Sequence, residues 1–169
     1  MHRTFHGESL VPGVAAGPVL HADIALSFMG GVHPATGDVI DAHHPLRGAC
    51  VAGRILAIPS GRGSCSGSLC IFELLMNGHA PKALLFKHKE AILTLGVVIA
   101  QELFARGIPV VLLDAADFDA LADAPYATVR DVVVTPAAAP PPALETGAHL
   151  PALDLAGFRL NEIDRRILA

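Results

Sequence analysis

Apolar positions along the chain fall into short runs whose spacing alternates between two periods. Val51 to Ile58 is a mostly apolar run whose length and branched residues predict a buried strand. After it, Leu69, Phe72, Leu75 and Met76 recur at helical spacing, predicting a helix from about Ser68 to Asn77, with Gly78 able to take the left-handed position that ends it. A strand over 82–86 follows. Ile92, Leu95, Val98, Ile99 and Leu103 then predict a second helix over 91–106, with Glu102 and Arg106 one turn apart and Gly107-Ile108-Pro109 as its stop. Val110 to Leu113 reads as a strand, Phe118 to Leu121 as a short helical turn, and Ala127 to Thr135 as one strand centred on Val132, Val133 and Val134. Upstream, Val19 to Leu26 lies among Gly13, Gly17, Pro18, Gly30 and Gly31 and reads as one or two strands with turns. Residues 31–46, dense in turn formers, read as a loop with a short strand at Val39-Ile40. Strands on both sides of helices predict a layered α/β domain, and no repeat of 20–50 residues interrupts that reading.

The pattern changes at Pro136. Alanines with Pro136, Pro140, Pro141 and Pro142 predict an extended, semi-rigid linker over 136–152, so the domain is expected to occupy 1–135. Residues 153–169 end in a helical pattern, Leu160 to Leu168, with Asn161 placed to cap it. A lone amphipathic helix cannot bury its own face, so this segment is expected to dock on something else.

Composition narrows the possibilities. A chain of 169 residues, 52% hydrophobic, suits one domain with an ample core, and the mean hydropathy of +0.51 hints at apolar surface covered by another chain or domain. No apolar run reaches the roughly 18 residues a membrane helix needs. The first residues lack the apolar core of a secretory signal, so a cytoplasmic location is the expectation. An odd number of cysteines, three, agrees with a reducing compartment. A net charge of −4 with 12 Lys and Arg and no basic run leaves no electrostatic footprint for nucleic acid.

Candidate chemistry concentrates in Pro59 to Ser68, between the strand and the first helix. Gly61, Gly63 and Gly67 let the backbone bend sharply and let a ligand approach it. The free N–H groups and dipole of the helix's first turn favour an anion, and Arg62 adds a forked cationic donor for a carboxylate or phosphate. Ser60, Ser64, Ser66 and Ser68, with the thiol of Cys65, add proton-transfer or nucleophilic groups at the same place. The plain alternative is that Ser66 or Ser68 merely caps the helix. The turn lacks the Gly-Lys-Ser/Thr of a phosphate loop. Gly63-Ser64-Cys65-Ser66-Gly67 imitates a nucleophile elbow with His79, His88 or His149 as base, a pattern that arises often by chance. Cys50, Cys65 and Cys70 can be read as iron–sulfur ligands, but Cys50 and Cys70 lie among apolar residues and read better as small core residues. His33, His43, His44, Asp38 and Asp41 offer metal-ligand types at a spacing that matches no zinc pattern, so loop packing or contacts at the edge of the substrate are the better readings.

Three stretches in fixed order carry a resemblance. Gly30-Gly31-Val32-x-Pro34-x-Thr36-Gly37-x-Val39-Ile40-Asp41-x-x-His44-Pro45-Leu46-x-Gly48, then Pro59-x-Gly61-Arg62-Gly63-Ser64-x-x-Gly67-Ser68, then Asn77-Gly78-x-Ala80-Pro81-x-Ala83 resemble the small subunit or swivel domain of aconitase X over roughly residues 5–135. The resemblance implies a swivelling β/β/α fold, similar to the mobile fourth domain of aconitase. It implies a hydro-lyase, active only with a large subunit or domain whose cysteines hold iron or an iron–sulfur cluster, so that no metal ligand is expected here. It implies one of two substrates, cis-3-hydroxy-L-proline, dehydrated to pyrroline-2-carboxylate, or mevalonate 5-phosphate. By the same resemblance Ser64 is expected to be the catalytic base, and from the chemistry of the turn Arg62, Gly63, Cys65 and Ser66 are expected to bind substrate. Cys65 stands where Ser or Thr is commoner, which with the His-rich loop and the long C-terminus favours the hydroxyproline branch. The tail from Leu160 to Leu168 also resembles the opening helix of the family's large subunit, as expected of a fused enzyme. A non-catalytic, anion-binding regulatory module is the remaining alternative.

Overall fold

The computed structural model describes residues 4–142. In chain order the elements are β1 (Phe5–His6), β2 (Glu8–Val11), β3 (Val14–His21), β4 (Ile55–Ile58), α1 (Gly67–Asn77), β5 (Ala83–Phe86), α2 (Ile92–Phe104), β6 (Val110–Leu112), α3 (Ala115–Ala120), a 3₁₀ turn (Leu121–Asp123), β7 (Tyr126–Arg130) and β8 (Val133–Ala137). The expected α/β architecture is present. Eight strands form a sheet in the order β1-β8-β7-β3-β4-β5-β6-β2. Its centre, β3 to β6, is parallel, while the flanking pairs are antiparallel.

Parallel strands buried on both faces need apolar side chains throughout, and β4 and β5 are buried at every position. Successive side chains point to opposite faces, so each strand feeds two cores. Leu56, Ile58, Leu84 and Phe86 meet Ile71, Leu74, Leu93 and Val97 of α1 and α2, whereas Ile55, Ala57, Ala83 and Leu85 meet Phe118, Leu121, Val129 and Val134. The two helices pack closely because Gly96 of α2 faces Ser68 and Ile71 of α1, where a Cβ would lie 2.5 Å from the Ile71 side chain.

The first strands went unread in the sequence because Phe5–His6 and Glu8–Val11 are too short and too polar to show a period. They nearly close the sheet. β1 pairs with β8 at one edge and β2 with β6 at the other, so one bend at Gly7 carries the chain from edge to edge of a barrel-like sheet. A Cβ at Gly7 would lie 2.5 Å from the Leu112 carbonyl oxygen.

Four boundaries differ from the sequence pattern. The run 51–58 is a strand only from Ile55, because Ala52, Gly53 and Arg54 form a turn with Gly53 at φ 72°. The expected strand at 19–26 is β3, shifted back to Val14–His21, and Leu26 keeps only an isolated bridge to Gly61. The second helix stops at Phe104, ahead of the expected stop at Gly107-Ile108-Pro109, since Ala105 takes the left-handed conformation. Arg106 thus lies past the helix, not one turn from Glu102 on it, and its buried guanidinium donates to the Met76 carbonyl at 3.4 Å. The expected single strand 127–135 is a hairpin, β7 and β8, turning at Asp131-Val132. Neither residue is glycine. Asp131 accepts φ 51° because its N–H and carboxylate exchange hydrogen bonds with Gly13, at 2.8 and 2.9 Å. β8 extends through Pro136, opposite Ala127 and beyond the end of its pairing with β1, where a missing N–H is tolerated. The helical pattern at 160–168 lies outside the described residues.

Candidate active site

The Pro59–Ser66 turn leaves the carboxyl end of β4 and enters α1. Gly61 bridges to Leu26, and the Arg62 N–H donates to the Leu26 carbonyl at 3.0 Å, fixing the start of the turn. Gly63 then adopts φ 111°, which only glycine takes without strain, and the chain swings outward. Arg62, Gly63, Ser64 and Cys65 are exposed and Ser66 is half-buried. The five residues singled out in the sequence are therefore contiguous at the surface.

The donors are not where the pattern placed them. The expected free N–H groups of the helix's first turn are taken: Gly67 donates to the Ser64 carbonyl, Ser68 to Cys65 and Leu69 to Ser66, at 3.1 to 3.2 Å. In the stretch just before the helix, the N–H groups of Gly63, Ser64 and Cys65 have no acceptor among the described residues. Three consecutive open donors that follow Arg62 in the chain are groups of the kind an anion can use. The capping alternative does not describe the serines. Ser66 is in the helical region and makes no side-chain cap, while Ser68 donates its hydroxyl to the Cys65 carbonyl at 2.6 Å. Ser64 donates its hydroxyl to Ser66 Oγ at 3.1 Å and stays open to solvent.

The loop 30–48 is scaffold for this turn. His44 is buried; its Nδ1 accepts from the Leu46 N–H at 3.2 Å, so Nε2 carries the proton toward the Ile24 carbonyl at 3.0 Å. Thr36 donates to Asp38, and His33 Nδ1 accepts from the Ala35 N–H. Asp41 takes the His43 N–H at 3.0 Å and the Arg62 guanidinium at 2.9 Å. Asn77 at the end of α1 donates to the Pro34 carbonyl at 3.1 Å. The 30–48 loop thus touches both of the other motifs, the turn through Asp41 and the far end of α1 through Pro34. Nothing in the local pattern marked Asp41 or Asn77 for these roles, because their partners are 21 and 43 residues away.

Among the described residues no three His, Cys, Asp or Glu side chains gather as a metal ion requires. The cysteines do not fit an iron site. The Cys70 thiol is buried, donates to the Phe28 and Val32 carbonyls, and is pushed up to about 11 by burial and then by the charge of Glu73. Cys50 donates to the Thr36 carbonyl, and Cys65 alone is exposed. The elbow reading also loses a base. His79 lies beyond the far end of α1, an 11-residue helix and so roughly 16 Å long. His149 lies outside the described residues, while His88 follows β5 with its N–H on the Pro59 carbonyl.

That last contact brings in a lysine the linear pattern hid. Asp23, Pro59, Lys87, His88, Asp119 and Ala122 line a recess of about 350 Å³ beside the turn. Its cation is already occupied, because Lys87 pairs with Asp119 at 2.7 Å.

Residues 4–135 match the family described as the aconitase X swivel domain. The chain belongs to that family. The swivel domain is 53% identical over 131 residues to cis-3-hydroxy-L-proline dehydratase of Hypocrea jecorina, and 46% over 163 residues to the Pseudomonas aeruginosa protein of that name. These alignments take in 78% and 96% of this chain but 22% and 28% of those proteins, so the chain spans about a quarter of their length. It is also 44% identical over 104 residues to the phosphomevalonate dehydratase small subunit of Thermococcus gammatolerans, covering 62% of this chain and 79% of that one. The crystal structure of Thermococcus kodakaraensis aconitase X in its holo-form superposes with a TM-score of 0.69 at 33% identity, over 80% of this chain and 98% of that chain. No helix among the described residues is long and apolar enough to cross a membrane.

Proposed function

We propose that this chain is the small subunit or N-terminal swivel part of an aconitase X hydro-lyase that dehydrates cis-3-hydroxy-L-proline to pyrroline-2-carboxylate. The observation that carries the reading is the turn exposed over Arg62–Cys65, whose guanidinium and three free N–H groups can hold one carboxylate beside the solvent-accessible Ser64 hydroxyl, bonded to Ser66. The names of the relatives at 46% and 53% identity support the reaction class and the substrate.

In this reading Arg62, with the N–H groups of Gly63, Ser64 and Cys65, binds the substrate carboxylate, and Ser66 orients Ser64 through their shared hydrogen bond. Ser64 removes the α-proton, for which its alkoxide must be favoured by the guanidinium, the free N–H groups and the dipole of α1. The Cα–H electron pair forms the new C=C bond as the C3–O bond breaks, the hydroxyl leaving as water toward the large subunit or domain, whose iron would assist its departure, and the resulting enamine tautomerises to the cyclic imine. Iron, as a cluster or a single ion, belongs to the large subunit or domain. The enzyme is cytoplasmic, with residues 1–135 as the swivel domain, 136–152 as linker and 153–169 as a docking segment or the start of the large domain. That organisation is supported by the likeness to the Pseudomonas aeruginosa protein, which runs over 163 residues and so past β8.

A second reading, a mevalonate 5-phosphate dehydratase small subunit, is favoured by the 79% coverage of the Thermococcus gammatolerans chain. Against it, both cations beside the turn already face a carboxylate, Arg62 with Asp41 and Lys87 with Asp119, leaving little net positive charge for a phosphate dianion. Assay of the complete enzyme with both compounds separates the readings. Turnover of the imino acid with little of the phosphate ester is expected, and the reverse ranking overturns the proposal.

A further inference from the structure

We propose that Asp41 is a positioning residue for Arg62, holding the guanidinium so that its remaining donors meet the substrate carboxylate. This rests on the reading of Arg62 as a carboxylate-binding group. Arg62 is 58% exposed, and a side chain with four rotatable bonds at such a position would spread over many rotamers and lose them on binding. It is restrained from one side. Asp41 Oδ2 accepts from Arg62 Nη2 at 2.9 Å, and the Asp41 side chain is only 13% exposed, so solvent screens the pair on the arginine's side alone.

Asp41 is itself fixed. Its Oδ1 accepts the His43 N–H at 3.0 Å and its own N–H donates to the Gly31 carbonyl at 3.2 Å, beside Ile40 bonded to the same carbonyl at 2.8 Å. Asn77, the last residue of α1, ties Pro34 of the same loop to that helix. The other guanidinium nitrogens of Arg62 have no partner among the described residues. One hydrogen of Nη2 thus restrains the exposed group, while the second, with Nε–H or Nη1–H, can still form the planar fork that takes a carboxylate in two parallel hydrogen bonds. An arginine already ordered in this way gives up less freedom when substrate arrives.

A double-mutant cycle in the complete enzyme tests this, with Asp41→Asn, Arg62→Ala and the pair. Asparagine keeps an oxygen for the His43 N–H and so preserves the loop turn. Asp41→Asn is expected to raise KM about 10-fold with little change in kcat, the signature of lost uniform binding, and Asp41→Glu to recover part of it. In the Arg62→Ala background, Asp41→Asn is expected to have almost no further effect, with the melting temperature the same in each pair. An undiminished effect in that background shows that Asp41 acts elsewhere and overturns the proposal. So does an unchanged KM for Asp41→Asn when Arg62→Ala alone raises it. If Arg62→Ala leaves KM unchanged, the carboxylate-binding reading of Arg62 fails first and the proposal with it.

Discussion

The turn 62–66 and the loop 30–48 behind it are both irregular, polar and rich in glycine, yet they are built on opposite principles. In the loop, His44, Asp38 and Asp41 each face a defined partner, and the Val32 carbonyl accepts from the buried Cys70 thiol of α1, so this polarity holds shape. In the turn, three N–H groups, the Ser64 hydroxyl and most of a guanidinium are open to solvent. Polar groups satisfied internally stabilise a fold, while polar groups held rigid but unsatisfied are available to a ligand. Mutations in the two regions should therefore fail in different ways, one in chemistry and one in stability.

The largest contrast is expected at Ser64. Ser64→Ala in the complete enzyme should lower kcat by roughly 10²–10⁴-fold if the hydroxyl is the base. The only contact it makes that resembles a cap is a 3.4 Å bond from the Ser66 N–H, so the stability loss should stay at or below about 1 kcal/mol. Steady-state kinetics and a melting curve on the same preparation check both halves. A variant that keeps its kcat and only melts earlier would return Ser64 to a structural role.

His44 should behave in the opposite way. His44→Ala leaves the Ile24 carbonyl and the Leu46 N–H without their partner, at a cost of about 1–3 kcal/mol. Denaturant unfolding measures that loss. Substrate affinity of the fraction that remains folded should be near that of the parent protein, and a selective loss of affinity at full stability would blur the division drawn here.

A smaller effect comes from Cys70. Its thiol is raised from 9.0 to about 11, so between those values the unfolded chain releases a proton that the folded chain keeps. The contribution to stability is complete below pH 9 and declines as pH rises toward 11. Thermal unfolding across that range should show a steeper fall for the parent than for Cys70→Ala. Equal slopes would place the titration elsewhere.

Much of the architecture was legible from spacing alone. The two helices and the central strands are long or apolar enough for a period of 3.6 or an unbroken run to stand out. The misses share a cause. β1, β2 and the Asp131-Val132 turn are short, and their conformations are set by partners far along the chain, at β8, β6 and Gly13. The same holds at the site. Arg62, Gly63, Ser64, Cys65 and Ser66 could be named because glycine, serine and arginine between a strand and a helix form a local signal. Asp41 read as a loop carboxylate for packing or for the edge of the substrate, without Arg62 as its partner, and Lys87 did not read as a neighbour of the turn at all.

The sequence by itself determined where the turn lies and which groups it carries, because backbone freedom at Gly63 and side-chain chemistry at 62–66 are properties of those residues. Which donors are free was a tertiary decision. Closure of the first turn of α1 on the carbonyls of Ser64, Cys65 and Ser66 moved the open N–H groups back to Gly63, Ser64 and Cys65. Pairing was a tertiary decision too, since only the packing of β4, β5 and the 30–48 loop brings Asp41 to Arg62 and Lys87 to Asp119. The physical reason is that a side chain's type is local, whereas its partner and its exposure depend on which distant segments the fold places against it.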